Sequence, residues 1–236
     1  MIVANEDGSG ATTIYTSTVM LSGHLAPNGF VYFWEGGVFK KIPATGGAVT
    51  PLFDTGGTFS RQSDLSPDGS TVAWYSIQGG MLFLYHIATG TQTPLAPSTT
   101  VAGVTFDRTG GNVIYLDEIG PGESEVRIVP VSGGASASLG LTGRFMGIDA
   151  AHTDSTLAIA VNPAGGFPYI GLWEPGMSGL VKLVDGYSPT YRCDDSAIIY
   201  DRMTSSGAAL YRRSSAGAIT MVAKPEAVFP KYKQVC

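Results

Sequence analysis

Charge is what this sequence has least of. Of its 236 residues only 14% are Asp, Glu, Lys or Arg, against about 25% in average soluble domains. A polar surface must therefore be built mostly from Ser, Thr, Gly, Asn and Gln. Basic residues are also scattered. The densest stretches are Phe39-Lys40-Lys41, Tyr211-Arg212-Arg213 and Lys231-Tyr232-Lys233, and the net charge is −5. Binding nucleic acid needs a field that attracts phosphate, so nucleic acid is not an expected partner. Cysteine is nearly absent. Cys193 and Cys236 are too few for a disulfide-dense scaffold or a Cys-rich zinc site. A single bond between them stays open in an oxidising compartment. No apolar run approaches the ~18 residues of a membrane span. The first residues, Met1 to Asp7, have neither the basic nor the apolar region of a signal peptide. A cytosolic protein and a piece of a longer exported chain both fit that start, and the low charge leans towards the periplasm or the extracellular space.

Helical periodicity of any length is missing too. What is present is punctuation: 32 Gly and 14 Pro, in clusters, between short apolar runs that bring hydrophobic residues to 44%. Many short strands joined by many turns produce that pattern. The best-formed example is Leu65-Ser66-Pro67-Asp68-Gly69, a polar turn, followed by the apolar run Thr71-Val72-Ala73-Trp74-Tyr75. Its counterparts are Leu25-Ala26-Pro27-Asn28-Gly29, Phe106-Asp107-Arg108-Thr109-Gly110, Ala151-His152-Thr153-Asp154-Ser155 and Tyr191-Arg192-Cys193-Asp194-Asp195, whose last positions step by 40, 41, 45 and 40 residues. One more step of 41 brings Tyr232-Lys233-Gln234-Val235-Cys236 into register.

Each turn leads into a β-branched and aromatic run: Phe30–Trp34, Thr71–Tyr75, Val113–Leu116, Leu157–Val161 and Ala197–Tyr200. Such runs, bounded by turn residues, read as buried strands. A second run follows in each unit (Val38–Ile42, Met81–Ile87, Glu125–Val131, Tyr169–Trp173, Ala208–Arg212). Then come a Gly-containing hairpin turn and a closing strand that ends near Leu52, Leu95, Leu139, Leu183 or Val222. Four short antiparallel strands in about 40–45 residues, repeated, are the signature of a β-propeller. The expected fold is all-β, a single domain over 1–236, with units at about 18–57, 58–99, 100–143, 144–186 and 187–226. Residues 1–17 match a third strand, turn and fourth strand, and 227–236 match a first strand. Together they would form a composite sixth blade that lacks its second strand and latches the ring.

The stretch Leu65-Ser66-Pro67-Asp68-Gly69 with Val72-Ala73-Trp74, then Leu82 to Gly90 and Thr93-Pro94-Leu95, resembles the repeats of TolB-type propellers. Asn5 to Thr12 is similar to them as well. The resemblance extends over the chain, but the units at 101 and 146 have lost the Pro and the Asp-Gly pair. It implies a six-bladed propeller, often exported and often a binding platform, with some relatives sitting beside a serine peptidase domain. The repeat is only loosely similar to WD-type repeats, whose Trp-Asp dipeptide and Gly-His pair are absent. The motif is structural and carries no catalytic residue.

The Asp-Gly turns read as turn chemistry, with Asp capping local backbone and Gly left-handed, and no calcium-loop pattern occurs. His24, His86 and His152 fall at non-equivalent positions of the repeat, which argues against a metal cluster. Gly176-Met177-Ser178-Gly179 is one residue short of a nucleophile elbow. The first strand of each unit should line a central channel. The polar residues there are His24, Arg61, Gln62, Asp64, Thr105, Asp149, Thr190, Arg192, Lys231 and Lys233. Of these, His24, Arg61, Gln62, Asp64, Asp149, Arg192 and Lys231 are the candidate ligand-binding set at the channel mouth. The expectation is a monomeric, non-catalytic platform that recognises a protein or a small molecule, with no cofactor and no metal. Two alternatives stand beside it: an enzyme, a lyase or hydrolase acting on a saccharide or lactone at the channel mouth, and the accessory propeller of a peptidase-type protein.

Overall fold

A computed structural model describes residues 1–3, 10–17, 22–57, 59–192, 194–204 and 207–223. The chain opens with a two-stranded antiparallel sheet, β1 (Ile2–Val3) with β2 (Thr12–Thr13). Five four-stranded sheets follow, each laid down in chain order from its first strand to its last. Blade 1 is β3 (Ser22–Leu25), β4 (Phe30–Glu35), β5 (Val38–Pro43) and β6 (Thr50–Asp54). Blade 2 is β7 (Phe59–Leu65), β8 (Thr71–Ser76), β9 (Met81–His86) and β10 (Thr91–Pro97). Blade 3 is β11 (Val101–Phe106), β12 (Asn112–Gly120), β13 (Glu123–Pro130) and β14 (Ala137–Gly143). Blade 4 is β15 (Phe145–Ala150), β16 (Leu157–Val161), β17 (Tyr169–Trp173) and β18 (Val181–Asp185). Blade 5 is β19 (Tyr187–Tyr191), β20 (Ala197–Thr204), β21 (Gly207–Ser214) and β22 (Ile219–Ala223).

The first strands β3, β7, β11, β15 and β19 are in contact one after the next, so they form the inner wall of a ring. The second strands of blades 2, 3 and 4 have a neighbouring blade on both faces and are buried through their apolar runs. Val72, Ala73, Trp74 and Tyr75 are all at or below 3% exposure. At roughly 2 kcal/mol per fully buried large apolar side chain, the walls between blades hold the ring. Their chemistry changes around it. Between blades 1 and 2 the wall is aromatic: Trp34 and Trp74 lie 5.8 Å apart and Phe53 and Tyr85 4.1 Å apart, centroid to centroid. Between blades 3 and 4 it is aliphatic, built from Leu116, Val126, Ile148, Leu157 and Ile159.

The turn that joins the first and second strands is one device in blades 1, 2, 3 and 5, where the residue at the glycine position donates its N–H to the carbonyl three residues back, whereas blade 4 closes through Ala151 N to Thr156 O and Thr156 N to Asp154. Ser66 accepts Gly69 N at its carbonyl and Thr71 N at its hydroxyl, while Asp68 takes the Ser66 and Ser70 hydroxyls and Ser70 N. Gly69, at φ +70, supplies the left-handed residue. Successive turns touch. A Cβ on Gly69 would lie 3.5 Å from Ala26 of blade 1, and one on Gly110 would lie 3.4 Å from Pro67 of blade 2. All these turns therefore stand at one end of the ring, and the hairpins between second and third strands stand at the other.

One expectation needs correcting in extent. The described residues make five blades of four strands, not six. β1 and β2 form a separate two-stranded sheet, and the other strand expected for a composite blade, at 227–236, lies outside the described residues. Met1, Val3, Ile14 and Tyr15 pack over Val31, Phe33 and Ile42 on the open face of blade 1. The amino terminus is hydrogen-bonded to the Tyr15 carbonyl, and the Tyr15 ring lies 5.1 Å from Phe33.

Candidate functional site

Five equivalent positions, each one residue before the end of an inner strand, carry His24, Asp64, Thr105, Asp149 and Thr190. All five are buried, Asp64 and Asp149 to 1% exposure. A carboxylate can stay charged at that depth only if donors surround it. Asp64 accepts Leu65 N at 2.7 Å and, from the next blade, Phe106 N at 2.8 Å. The His24 ring stands 3.7 Å from Asp64 through Nδ1 and 3.5 Å from the Ser63 hydroxyl through Nε2. Asp149 repeats the pattern two blades on, accepting Tyr191 N at 2.7 Å and the Thr105 hydroxyl at 3.2 Å. The two acids alternate with His24, Thr105 and Thr190 along this row, so no two carboxylates occupy neighbouring positions on it. The Tyr191 phenol sits above its ordinary pKa, first because it is buried and then because Asp149 is near.

The other candidates lie elsewhere. Gln62 is half-buried on β7. Arg192 follows β19, where Nη1 donates to Ser196 Oγ at 2.8 Å and Nη2 lies 3.5 Å from Asp194. The Arg61 side chain, Lys231, Lys233, Cys193 and Cys236 lie outside what is described. The inner wall thus brings His24 to Asp64 and Thr105 to Asp149, and holds Arg192 at the rim of the turn-bearing end.

At that same end lies a shallow open cleft lined by Asp64, Pro67, Thr105, Asp107, Arg108 and His152 among others. Its enclosed room is about that of one water molecule, so it is a dimple in the rim rather than a pocket for a drug-sized ligand. Asp64 and Asp107 wall it, but both are taken up by protein donors: Asp107 accepts Gly111 N, the Thr109 hydroxyl and the Asn112 amide. The exposed Arg108 gives Nη1 to Thr153 O at 2.9 Å. His152 is fixed through its main-chain N by Asp195, and its buried Nε2 has no hydrogen-bond partner. Arg108 and His152 were not among the channel candidates because they lie in turns, beyond the ends of the inner strands. The register does mark both positions, since each follows its strand-ending residue, Phe106 or Ala150, by two places. Among the described residues no three His, Cys, Asp or Glu side chains are grouped so as to hold a metal ion.

Radial four-stranded antiparallel sheets around an inner wall of first strands define a β-propeller. Solved structures agree. The chain is similar to TolB from Acinetobacter baumannii (TM-score 0.81, 14% identity, 93% of this chain and 58% of that one). It is similar as well to a putative TolB from Agrobacterium tumefaciens (TM-score 0.80, 12% identity, 93% and 86%). A chain in a nidogen/laminin complex also matches (TM-score 0.68, 13% identity, 90% and 82%). The chain thus spans 58% of the length of the first of these and 86% of the second. No family of protein sequences matches the chain, and no curated protein does.

Proposed function

We propose that this chain is a non-catalytic, TolB-like propeller that recognises a protein or small-molecule ligand at the turn-bearing end of its channel. The observation that carries the reading is the commitment of the buried acids. Asp64 and Asp149 spend their oxygens on Phe106 N and Tyr191 N, an arrangement suited to framing a site rather than to moving protons. Gln62 and Arg192 are the proposed contacts beside that frame. Arg61 and Lys231 complete the proposed contact set with His24, Asp64 and Asp149 behind them. The similarity to a chain solved in a nidogen/laminin complex supports an interaction role. The ring is proposed to close as six blades, with β1–β2 as third and fourth strands of the last. Support comes from the packing of Met1, Val3 and Ile14 on blade 1.

The test pairs capture with titration. The wild-type chain is used to isolate its partner from a native extract, and that partner is then titrated by calorimetry against wild type and against Arg192→Ala/Gln62→Ala. A tenfold or greater loss in the variant at unchanged Tm supports the reading. Equal affinity overturns the site, and turnover of a saccharide or lactone panel overturns the non-catalytic role. A second reading, the propeller of a longer peptidase-type protein, is favoured by the similarity to a prolyl endopeptidase structure, of which this chain covers 36% at a TM-score of 0.57.

A further inference from the structure

The two ends of the ring differ in chemistry. The first-to-second-strand turns are rich in acids that bond their own backbone, among them Asp68, Asp107, Asp154 and Asp194. The opposite end carries the hairpins between second and third strands. There, four consecutive blades each leave one large apolar side chain in solvent: Ile77 at 61% exposure, Ile119 at 54%, Phe167 at 87% and Met203 at 49%. One exposed apolar residue means little. Ile77, Ile119 and Met203 sit at or just past the ends of second strands and Phe167 just before a third strand, so blades 2 to 5 each present an apolar side chain at this end, and several together are of the kind that marks an interaction surface.

Charge on these hairpins selects the occupant. The blade 2 hairpin (77–80) and the blade 4 hairpin (162–168) hold no charged residue. Blade 3 carries Glu118 and the exposed Glu123, and blade 5 carries the exposed Arg202. Arg144, also exposed at this end, lies inward against Gly122 of the blade 3 hairpin. Acid and base therefore flank blade 4 on opposite sides. Two copies stacked end to end about a two-fold axis through blade 4 would set Phe167 against its own copy. The same axis would bring the acidic blade 3 hairpin of each copy to Arg202 of the other. An isologous interface needs that kind of self-complementarity. We propose that this end of the ring is a homodimer interface, centred on Phe167 and registered by Glu123 against Arg202. The contact is feasible in area. A standard interface takes about 800 Å² per partner, under a tenth of the chain's 10949 Å². A lipid surface fits less well, because the described residues of this end hold no cluster of Lys and Arg to meet anionic headgroups. The turn-bearing end stays free, so this inference stands independently of the ligand site.

The experiment is sedimentation velocity over a concentration series, on the full chain, for wild type, Phe167→Ser, Glu123→Arg, Arg202→Glu and the double variant Glu123→Arg/Arg202→Glu. The expected result is a wild-type dimer whose dissociation constant rises at least tenfold in each single variant and returns towards wild type in the double. Melting temperatures serve as the folding control, since the three side chains are exposed. A wild-type chain that stays monomeric at every concentration overturns the proposal. So does a dimer that ignores Phe167→Ser, or one that the charge-swapped pair fails to restore. Binding of wild type to anionic vesicles with no self-association assigns the end to a membrane instead and also overturns it.

Discussion

The carboxylate of Asp149 accepts the backbone amide of Tyr191 at 2.7 Å, 42 residues further along the chain and one blade away. Asp64 and Phe106 stand in the same relation, at the same separation of 42 residues and 2.8 Å. A side chain fixes the backbone of the next blade at two of the junctions along the inner wall. Removing it leaves a buried N–H with no acceptor, a loss of about 1–3 kcal/mol, and at Asp149 the Thr105 hydroxyl loses its partner as well. Asp149→Ala is expected to cost about 3 kcal/mol, or roughly 6–12 °C in Tm for a chain of this size. Asp149→Asn keeps an acceptor for Tyr191 N and should cost about 1 kcal/mol. Thermal melts of the two variants check the ordering, and equal losses would mean that the amide bond is not what Asp149 contributes.

Asp195 makes a different link. It occupies the repeat position held by Gly29, Gly69 and Gly110, and like them it is left-handed, at φ +51. That conformation costs a residue with a Cβ on the order of 1 kcal/mol. In return the carboxylate takes His152 N at 2.9 Å and both Thr153 N and its hydroxyl at 2.6 Å, across the junction to blade 4. Asp195→Gly removes the strain together with the bonds, whereas Asp195→Ala removes only the bonds. The expected order of stability is wild type, then Gly, then Ala, with Ala about 1 kcal/mol below Gly. Denaturant titration of the three proteins measures it.

These two acids show where sequence reasoning reached and where it stopped. The strand Leu157–Val161 was legible to the residue, since a β-branched run between two turns has no other good use. β12 and β20 run further than their apolar cores, to Gly120 and Thr204. Hairpin pairing continues through Asp117, Glu118 and Arg202 because backbone ladders do not need apolar side chains. The positions of His24, Asp64 and Asp149 were legible from the register, but their partners were not. The amides they bind are some forty residues away, and a backbone amide leaves no mark in the sequence. Asp195 did leave a signal, as the non-glycine in a glycine position.

Glu35 ties the amino-terminal strands to blade 1. It accepts Lys40 Nζ at 2.6 Å and the Tyr15 hydroxyl at 2.8 Å. Its pKa is pulled down to about 2, first by Lys40, then by the Ser17 hydroxyl, with Tyr15 adding to both against the cost of burial. A carboxylate depressed in the folded state stabilises above its unfolded pKa and loses that contribution as pH falls through the folded value. The window runs from about 4.5 down to about 2. Because Glu35 and Lys40 stay partly wet, about 1–2 kcal/mol is at stake. Glu35→Gln is expected to flatten the acid limb of the stability curve in that window. It should also speed hydrogen exchange at Thr12–Tyr15, which mass spectrometry reads directly. Unchanged exchange there would break the link between this carboxylate and the terminal strands.

Asp201 has the opposite sign. It lies on β20 at 4% exposure, where burial raises its pKa to about 7, opposed only by a hydrogen bond from the Ser188 side chain. The unfolded chain gives up this proton near pH 4 and the folded chain near pH 7, so the folded state binds more protons between them. Stability must then fall as pH rises across that interval and level off above it. Three units correspond to at most about 4 kcal/mol. Asp201→Asn keeps the shape and a donor while removing the ionisation. It is expected to match wild type at pH 4 and to exceed it by about 2–4 kcal/mol at pH 8, in denaturant melts run at both values. A variant that is less stable at pH 8 would show that the ionised carboxylate is wanted there.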